Sequence, residues 1–352
     1  MIFKLKESLP VWFSKLFFFL FLLHSPLFSQ FAGYSQAESG SYNAALFSNG
    51  TGLRDPMANL SGNPAFLVSH GKNLAEVGGM GMTARQTPGP IVLNGGGFYQ
   101  ISESLGIGVR FKPVYTRFFP ADERLINYTG QTVLSYKVHG SIFLGAGLGP
   151  TVSTRLGGYS TYSWNAFASI GIFFKKITLG LLAESPGGNR FNNYLGTESL
   201  KERYPEKISL GMQYDVHPSI FLYGELVRTF WERAMFSQNG LEEKPPFPIR
   251  TTYSGSFGFG YHVLQGLDVL LGVSKLYHAA NNGSLDPVYG LSAGIKSEIL
   301  PSVFGAGLLG SLYMQRTGIR KTLEAYEPET RFGFQIQSQF EIAKSDITMP
   351  KN

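Results

Sequence analysis

From residue 73 to 343, apolar and polar residues alternate with a period of two. The clearest stretch is RFGFQIQSQFEIA, 331–343. There Phe332, Phe334, Ile336, Phe340 and Ile342 fall on one side, and Gln335, Gln337, Gln339 and Glu341 on the other. A helix would scatter these residues around its circumference, whereas a pleated strand sends successive side chains to opposite faces. The pattern recurs in EKISLGMQYDV, where Ile208, Leu210, Met212 and Tyr214 oppose Ser209, Gly211, Gln213 and Asp215, and again in QGLDVLLGVSK and SFGFGYHV. Fourteen strands are expected, near 73–85, 91–101, 105–118, 129–138, 140–153, 159–174, 176–184, 205–215, 218–230, 251–263, 266–277, 287–297, 301–315 and 330–343.

The connections alternate in length. Those after even strands are tight (SES at 102, HG at 139, VHP at 216, LQ at 264), while those after odd strands include 119–128, 185–204, 231–250, 278–286 and 316–329. Short turns at one end and long loops at the other are the asymmetry of bacterial outer-membrane barrels, whose termini lie on the turn side. A soluble sandwich would need an apolar inner face, but here one face is Gly, Ser, Gln and Lys. The expected fold is therefore all-β, a transmembrane antiparallel β-barrel of about 14 strands. No window after the first thirty residues holds 18 consecutive apolar residues, so any membrane crossing falls to strands.

Composition adds the compartment. The 352 residues include 43 Gly, 29 Phe and 18 Tyr, a bias toward strands and aromatic girdles. Lys4, Lys6 and Lys15 precede a pure Leu/Phe run, Leu16–Leu23, which is too short to span a bilayer and reads as a secretory signal. The chain divides into a signal peptide (1–29), an N-terminal plug (30–72), the barrel (73–343) and a tail (344–352), and its expected place is the bacterial outer membrane. Loss of the signal removes three Lys and one Glu and lowers the net charge from +6 to +4, with the basic residues scattered rather than clustered. Nucleic acid is not an expected partner. With no cysteine, disulfides, thiolate metal sites and a lipid-anchored cysteine are excluded.

The segment GLRDPMANLSGNPAFL, 52–67, places Asn63, Pro64 and Ala65 shortly before the first strand, with Asp55 upstream. It resembles the hatch of the outer-membrane long-chain fatty-acid transporter family, the hydrocarbon and toluene transport proteins. FAGYSQAESGSYNAALF, 31–47, looks like that family's mature N-terminus, and 205–231 and 286–299 look like its later strand pairs. The resemblance implies passive uptake of hydrophobic small molecules. A ligand would enter a lumen blocked by the hatch and leave sideways through a gap made by a kink in the third strand. It also implies membrane lipid, a hydrophobic ligand and the barrel-assembly machinery as partners, a monomer, and no cofactor. Pro113 lies within the third strand, GIGVRFKPVYTRF. Proline has no N–H for the ladder, so that strand must bulge, bend or lose a pairing, with or without a transport role.

Other patterns carry less. Gly305, Gly307 and Gly310 in GAGLLG sit inside a strand rather than between a strand and a helix, which argues against a nucleotide loop. None of the six histidines is paired at metal-ligand spacing, and no nucleophile elbow occurs, so no enzyme is expected. Inward aromatics Phe143, Phe167, Phe221, Tyr223 and Phe304 are the candidates for an apolar ligand pocket. Inward Arg110, Lys112 and Lys137 are candidates to meet a carboxylate, or else to fill the lumen and anchor the plug. A scaffold or shuttle for secreted or surface proteins, docking on 185–204 and 231–250, is the competing reading, and a general porin is a third.

Overall fold

The computed structural model describes residues 41–341 apart from 47, 84–87, 119–122, 156–159, 186, 195–197, 234, 239–240, 244–250, 280–284, 304–305 and 318–329. The strands are β1 (Asn73–Thr83), β2 (Pro88–Gln100), β3 (Leu105–Phe118), β4 (Glu123–His139), β5 (Ile142–Arg155), β6 (Ser160–Phe174), β7 (Ile177–Ser185), β8 (Gly188–Tyr194) and β9 (Glu198–Arg203). They continue as β10 (Glu206–His217), β11 (Ile220–Phe230), β12 (Met235–Gln238), β13 (Leu241–Glu243), β14 (Thr252–Leu264), β15 (Leu267–Ala279), β16 (Leu285–Val303), β17 (Ala306–Thr317) and β18 (Thr330–Phe340). Fourteen of them close into a barrel in the order β1-β18-β17-β16-β15-β14-β11-β10-β7-β6-β5-β4-β3-β2. Closure runs from Asn73 against Phe340 to Thr83 against Thr330. Closure matters because an open strand edge in lipid would leave its backbone groups unsatisfied.

The remaining four strands correct an expectation. The segments 185–204 and 231–250 read as loops, but β8, β9, β12 and β13 form a separate sheet in the order β13-β12-β9-β8. Met235–Gln238 pairs with 200–203, across more than thirty residues of sequence, so the strands depend on each other rather than on any local alternation. His139 and His217, expected in turns, close β4 and β10 instead.

The faces separate as the alternation requires. Phe332 and Phe334 are 46% and 43% exposed, whereas Gln335 and Gln337 are fully buried. Val109, Phe111, Leu134, Leu144, Trp164, Leu271 and Leu312 also point outward, while Ser135, Thr151, Ser169, Ser209 and Glu225 are buried on the inner face. This distribution inverts that of a soluble protein and suits a hydrocarbon surround. Arg at Phe334 should destabilise by about 2–4 kcal/mol near the bilayer midplane. Unfolding in lipid vesicles of Phe334→Arg beside Gln335→Arg checks it, and equal tolerance at both positions would refute the outward assignment.

Most described residues of 42–68 are buried, and the segment touches strands on both sides of the ring, β1, β15, β16, β17 and β18 on one side and β3, β4, β5 and β6 on the other. A segment touching both sides of a closed barrel lies within it. Two Asx-Pro steps build this inner segment. Asp55 caps the helical turn Pro56–Asn59 by accepting from Met57 N at 2.9 Å, with Pro56 at the first helical position. Asn63 caps the 3-10 helix Pro64–His70 by accepting from Ala65 N at 3.1 Å, and Gly71, at φ 68°, ends it in the left-handed region. An Asx side chain satisfies a free helix N–H, and proline has none to satisfy. Residues 1–40, including the expected signal and the start of the plug, and the tail 344–352 lie outside the described residues.

Candidate functional site: the clamped inner segment and the β2–β3 seam

Four groups of wall side chains hold the inner segment. The Glu225 carboxylate on β11 accepts from Ser48 Oγ (3.1 Å), Asn49 N (3.1 Å), Asn49 Nδ2 (2.8 Å), Thr51 N (3.4 Å) and the Tyr223 hydroxyl. Opposite it, Gln335 Nε2 donates to Met57 O (2.8 Å) and Gln337 Nε2 to Pro56 O (2.9 Å), and both also donate to Glu76. Arg110 on β3 donates to the carbonyls of Ser61 and Gly62 at 3.3 Å. Its guanidinium rests 4.3 Å above the Phe167 ring, and its Nε donates to Gln131. Finally, Lys296 bridges Asp55 (2.5 Å) and Asp268 (3.2 Å), and His262 Nδ1 lies 2.5 Å from the other Asp268 oxygen.

The wall also clears space where the segment presses against it. A Cβ on Gly211 would sit 2.5 Å from Gly52 N, and one on Gly180 would run into Thr51 O. Inward positions on β7 and β10 therefore carry glycine so that backbone can lie against backbone.

One seam of the wall is interrupted. Between β2 and β3 the pairing runs through Ile91 with Tyr115 and Val92 with Val114, stops, and resumes in the same register at Gly95 with Phe111. Leu93 and Asn94 thus lose their β3 partners at Lys112 and Pro113, although Pro113 still pairs with Tyr128 on β4. Asn94 Nδ2 is buried beside the seam with no hydrogen-bond partner. The β4–β5 ladder also lapses, between Thr129–Thr151 and Thr132–Leu148, next to Pro150. Both lapses fall at a proline, which can donate no ladder hydrogen bond. The β2–β3 seam lies three residues, about 10 Å along the strand, beyond the level at which Arg110 grips the inner segment.

No protein-family model and no curated protein matches the chain. Solved structures do. The chain is similar to CymD, a monoaromatic hydrocarbon channel, with a TM-score of 0.66 and 14% identity over 88% of this chain and 99% of that one. It is similar to a FadL homologue of Pseudomonas aeruginosa, with a TM-score of 0.64 and 14% identity over 87% and 98%. The toluene transporter TbuX of Ralstonia pickettii follows at 0.61 and 12% over 88% and 100%. This chain shares their fold. Because nearly the whole of each of those chains is covered, the shared architecture is the complete barrel.

Within this barrel the aromatics expected to form one pocket are divided. Phe143 and Phe167 pack with Leu60, Phe66, Leu67 and Val68, whereas Phe221 and Tyr223 pack with Tyr42, Leu46, Leu53 and Met57. Both groups are covered by the inner segment rather than by open lumen, and Phe304 lies outside the described residues. Arg110 meets backbone carbonyls instead of a carboxylate, which is the anchoring role weighed for it. Lys112 faces the lumen beside the seam, and Lys137 lines a cavity at the tight-turn end. The clamping role of Glu76, Glu225, Gln335 and Gln337 is absent from the sequence expectations, which place Gln335 and Gln337 only on the polar face. Their available signal was an ionisable or amide side chain at an inward position of an alternating strand, and such groups are retained where they have a partner.

His70 links the segment to pH. Its Nε2 lies 2.6 Å from Asn59 Oδ1, whose own amide donates to Leu53 O, so the imidazole is the donor. Burial pushes its pKa from 6.5 to about 4; Asp55 opposes the shift, and Arg54, Lys296 and Lys72 add to it. A base whose folded pKa is depressed gives stability that is full above pH 6.5 and is lost as the pH falls toward 4. Amide exchange of residues 56–71 should therefore accelerate across that window and do so less in His70→Gln. An equal pH response in both proteins would refute the assignment.

Proposed function

We propose that the chain is a passive channel of the bacterial outer membrane for hydrophobic small molecules of the hydrocarbon or long-chain fatty-acid type, and not an enzyme. The observation that carries this reading is the interrupted β2–β3 seam at Pro113, just beyond a lumen blocked by residues 41–71. The chain's shape supports it. A molecule arriving at the long-loop end meets the clamped segment below and the unpaired stretch of wall beside it. An apolar molecule leaving through that stretch enters lipid without crossing water, so its hydrophobic surface is never re-exposed. In this reading Asn63, Pro64, Ala65 and Asp55 shape the hatch, and Pro113 shapes the opening. The fold shared with a monoaromatic hydrocarbon channel and a toluene transporter points to the same class of cargo.

A blocked lumen argues against a general porin. The sheet formed by β8, β9, β12 and β13 offers a surface to the scaffold reading, but nothing on it selects a partner. Uptake of toluene and of oleate into cells with and without the protein separates these functions. The channel reading expects faster entry of at least one of them with the protein. Equal rates for both would end it and leave the scaffold.

A further inference from the structure

A cavity of about 350 Å³ opens at the tight-turn end of the barrel, beside the C-terminal end of the Pro64–His70 helix. Its size falls within the range of small-molecule sites. The apolar part is built from Val68, Phe143 and Phe173, the two rings lying 4.8 Å apart. Two cations share the lining, Arg54 and Lys137. The Arg54 guanidinium is held 4.5 Å above the Phe173 ring. Among the described residues neither cationic group has a carboxylate or a hydrogen-bond acceptor for its side chain. Glu103, on the exposed 101–104 turn, is the one acidic residue of the lining and forms no ion pair with either. Gln100 contributes a buried Oε1 without a partner, while its Nε2 donates to Val68 O at 3.4 Å.

This combination differs from the clamps of the lumen, where Glu225 and Arg110 are engaged with the inner segment and Asp268 with Lys296 and His262. Two unpaired cations beside two aromatic faces suit a ligand with a negative end and an apolar body. A neutral hydrocarbon would leave the cations unused, and inorganic phosphate would leave the rings unused. We propose that the cavity is a binding site for a small amphiphilic carboxylate, an aromatic or short-chain acid whose body lies on Phe143 and Phe173 and whose carboxylate meets Arg54 and Lys137. The site does not depend on the lateral route, because its lining gathers at the tight turns, away from Pro113 along β3. An acid bound there touches Arg54 and Val68, so its occupancy favours the docked segment over any displaced one.

The test uses the full chain in micelles of a neutral detergent, titrated calorimetrically with 4-phenylbutyrate and with its neutral amide. The carboxylate should bind about tenfold tighter than the amide, as expected when a charge-assisted contact is added to the same apolar one. Arg54→Gln and Lys137→Gln should each weaken the carboxylate about fivefold or more and leave the amide unchanged, with both variants keeping the wild-type heat-dependent gel mobility of a folded barrel. Equal affinity for acid and amide, wild-type affinity in both variants, or no binding of either compound would overturn the proposal. Displacement of the acid by an equal concentration of a short-chain phosphatidylglycerol would overturn it too, by assigning the cations to a lipid headgroup. Because no uptake is measured, failure here is distinct from failure of the channel reading.

Discussion

Replacing Glu225 with Ala should release residues 48–51 from the wall and weaken the barrel by about 3–5 kcal/mol, the largest loss expected from any single side chain inside it. The carboxylate is the common acceptor for two backbone N–H groups, a serine hydroxyl, an asparagine amide and the Tyr223 hydroxyl. Hydrogen bonds to a charged acceptor each contribute about 1.5–3 kcal/mol net, and water entering the vacated space recovers only part of that sum. Removing the acceptor leaves donors buried on both sides of the contact. Two measurements check this: thermal unfolding in detergent, and ion conductance in a planar bilayer, which should rise as the segment loosens. Wild-type conductance together with wild-type thermal stability would show that the carboxylate is not the anchor. Glu225→Gln, which keeps one acceptor oxygen, should lie between the two.

The ease with which the barrel could be read, and the difficulty of reading its interior, have the same physical origin. A strand between hydrocarbon and a polar lumen must alternate, so Phe332 to Gln339 declare their faces from sequence alone, and the observed burial follows them. Turn length gave the asymmetry of the two ends for a similarly local reason. The inner segment has no period, because it packs against fourteen different strands rather than one flat surface. Its two caps fall at Asp55-Pro56 and Asn63-Pro64, residues that the resemblance had singled out but that had not been read as caps. What these caps meet could not be read. Glu225 lies 174 residues from Thr51, and Lys296 lies 241 from Asp55. The β8–β9–β12–β13 sheet was missed for the same reason, since its central pairing joins two separate excursions of the chain. The candidate pocket aromatics are divided between two clusters. Phe143, Phe167, Phe221 and Tyr223 do face inward, but the volume between them is occupied by Phe66, Leu46 and their neighbours.

Pro113→Val should sharply slow entry of a hydrophobic substrate while leaving barrel assembly intact. Valine supplies the missing N–H and favours the pleated conformation, so Leu93 and Asn94 regain partners across the seam. The flanking pairs already share one register, and the repair therefore needs no shift of either strand. The same exchange at Pro150 is the control, since the β4–β5 lapse lies between different strands. Loss of uptake in Pro113→Val but not in Pro150→Val places the route at β2–β3. Unchanged uptake in Pro113→Val would remove the seam from the mechanism.

On the proposed route the inner segment, clamped across the lumen, must move before a molecule can reach the seam, and a reversible tether tests this most directly. A Cβ built on Gly294 comes within 2.5 Å of the Ala45 Cβ. A retreat of the Ser41–Ala45 helical turn by about 1 Å therefore brings the Ala45→Cys/Gly294→Cys pair to disulfide geometry. The natural chain has no cysteine to compete for either thiol. Toluene uptake should be lost when this variant is oxidised and should return, in the same cells, when it is reduced. Uptake that is equal in the oxidised and reduced forms, with the disulfide verified, would contradict the account.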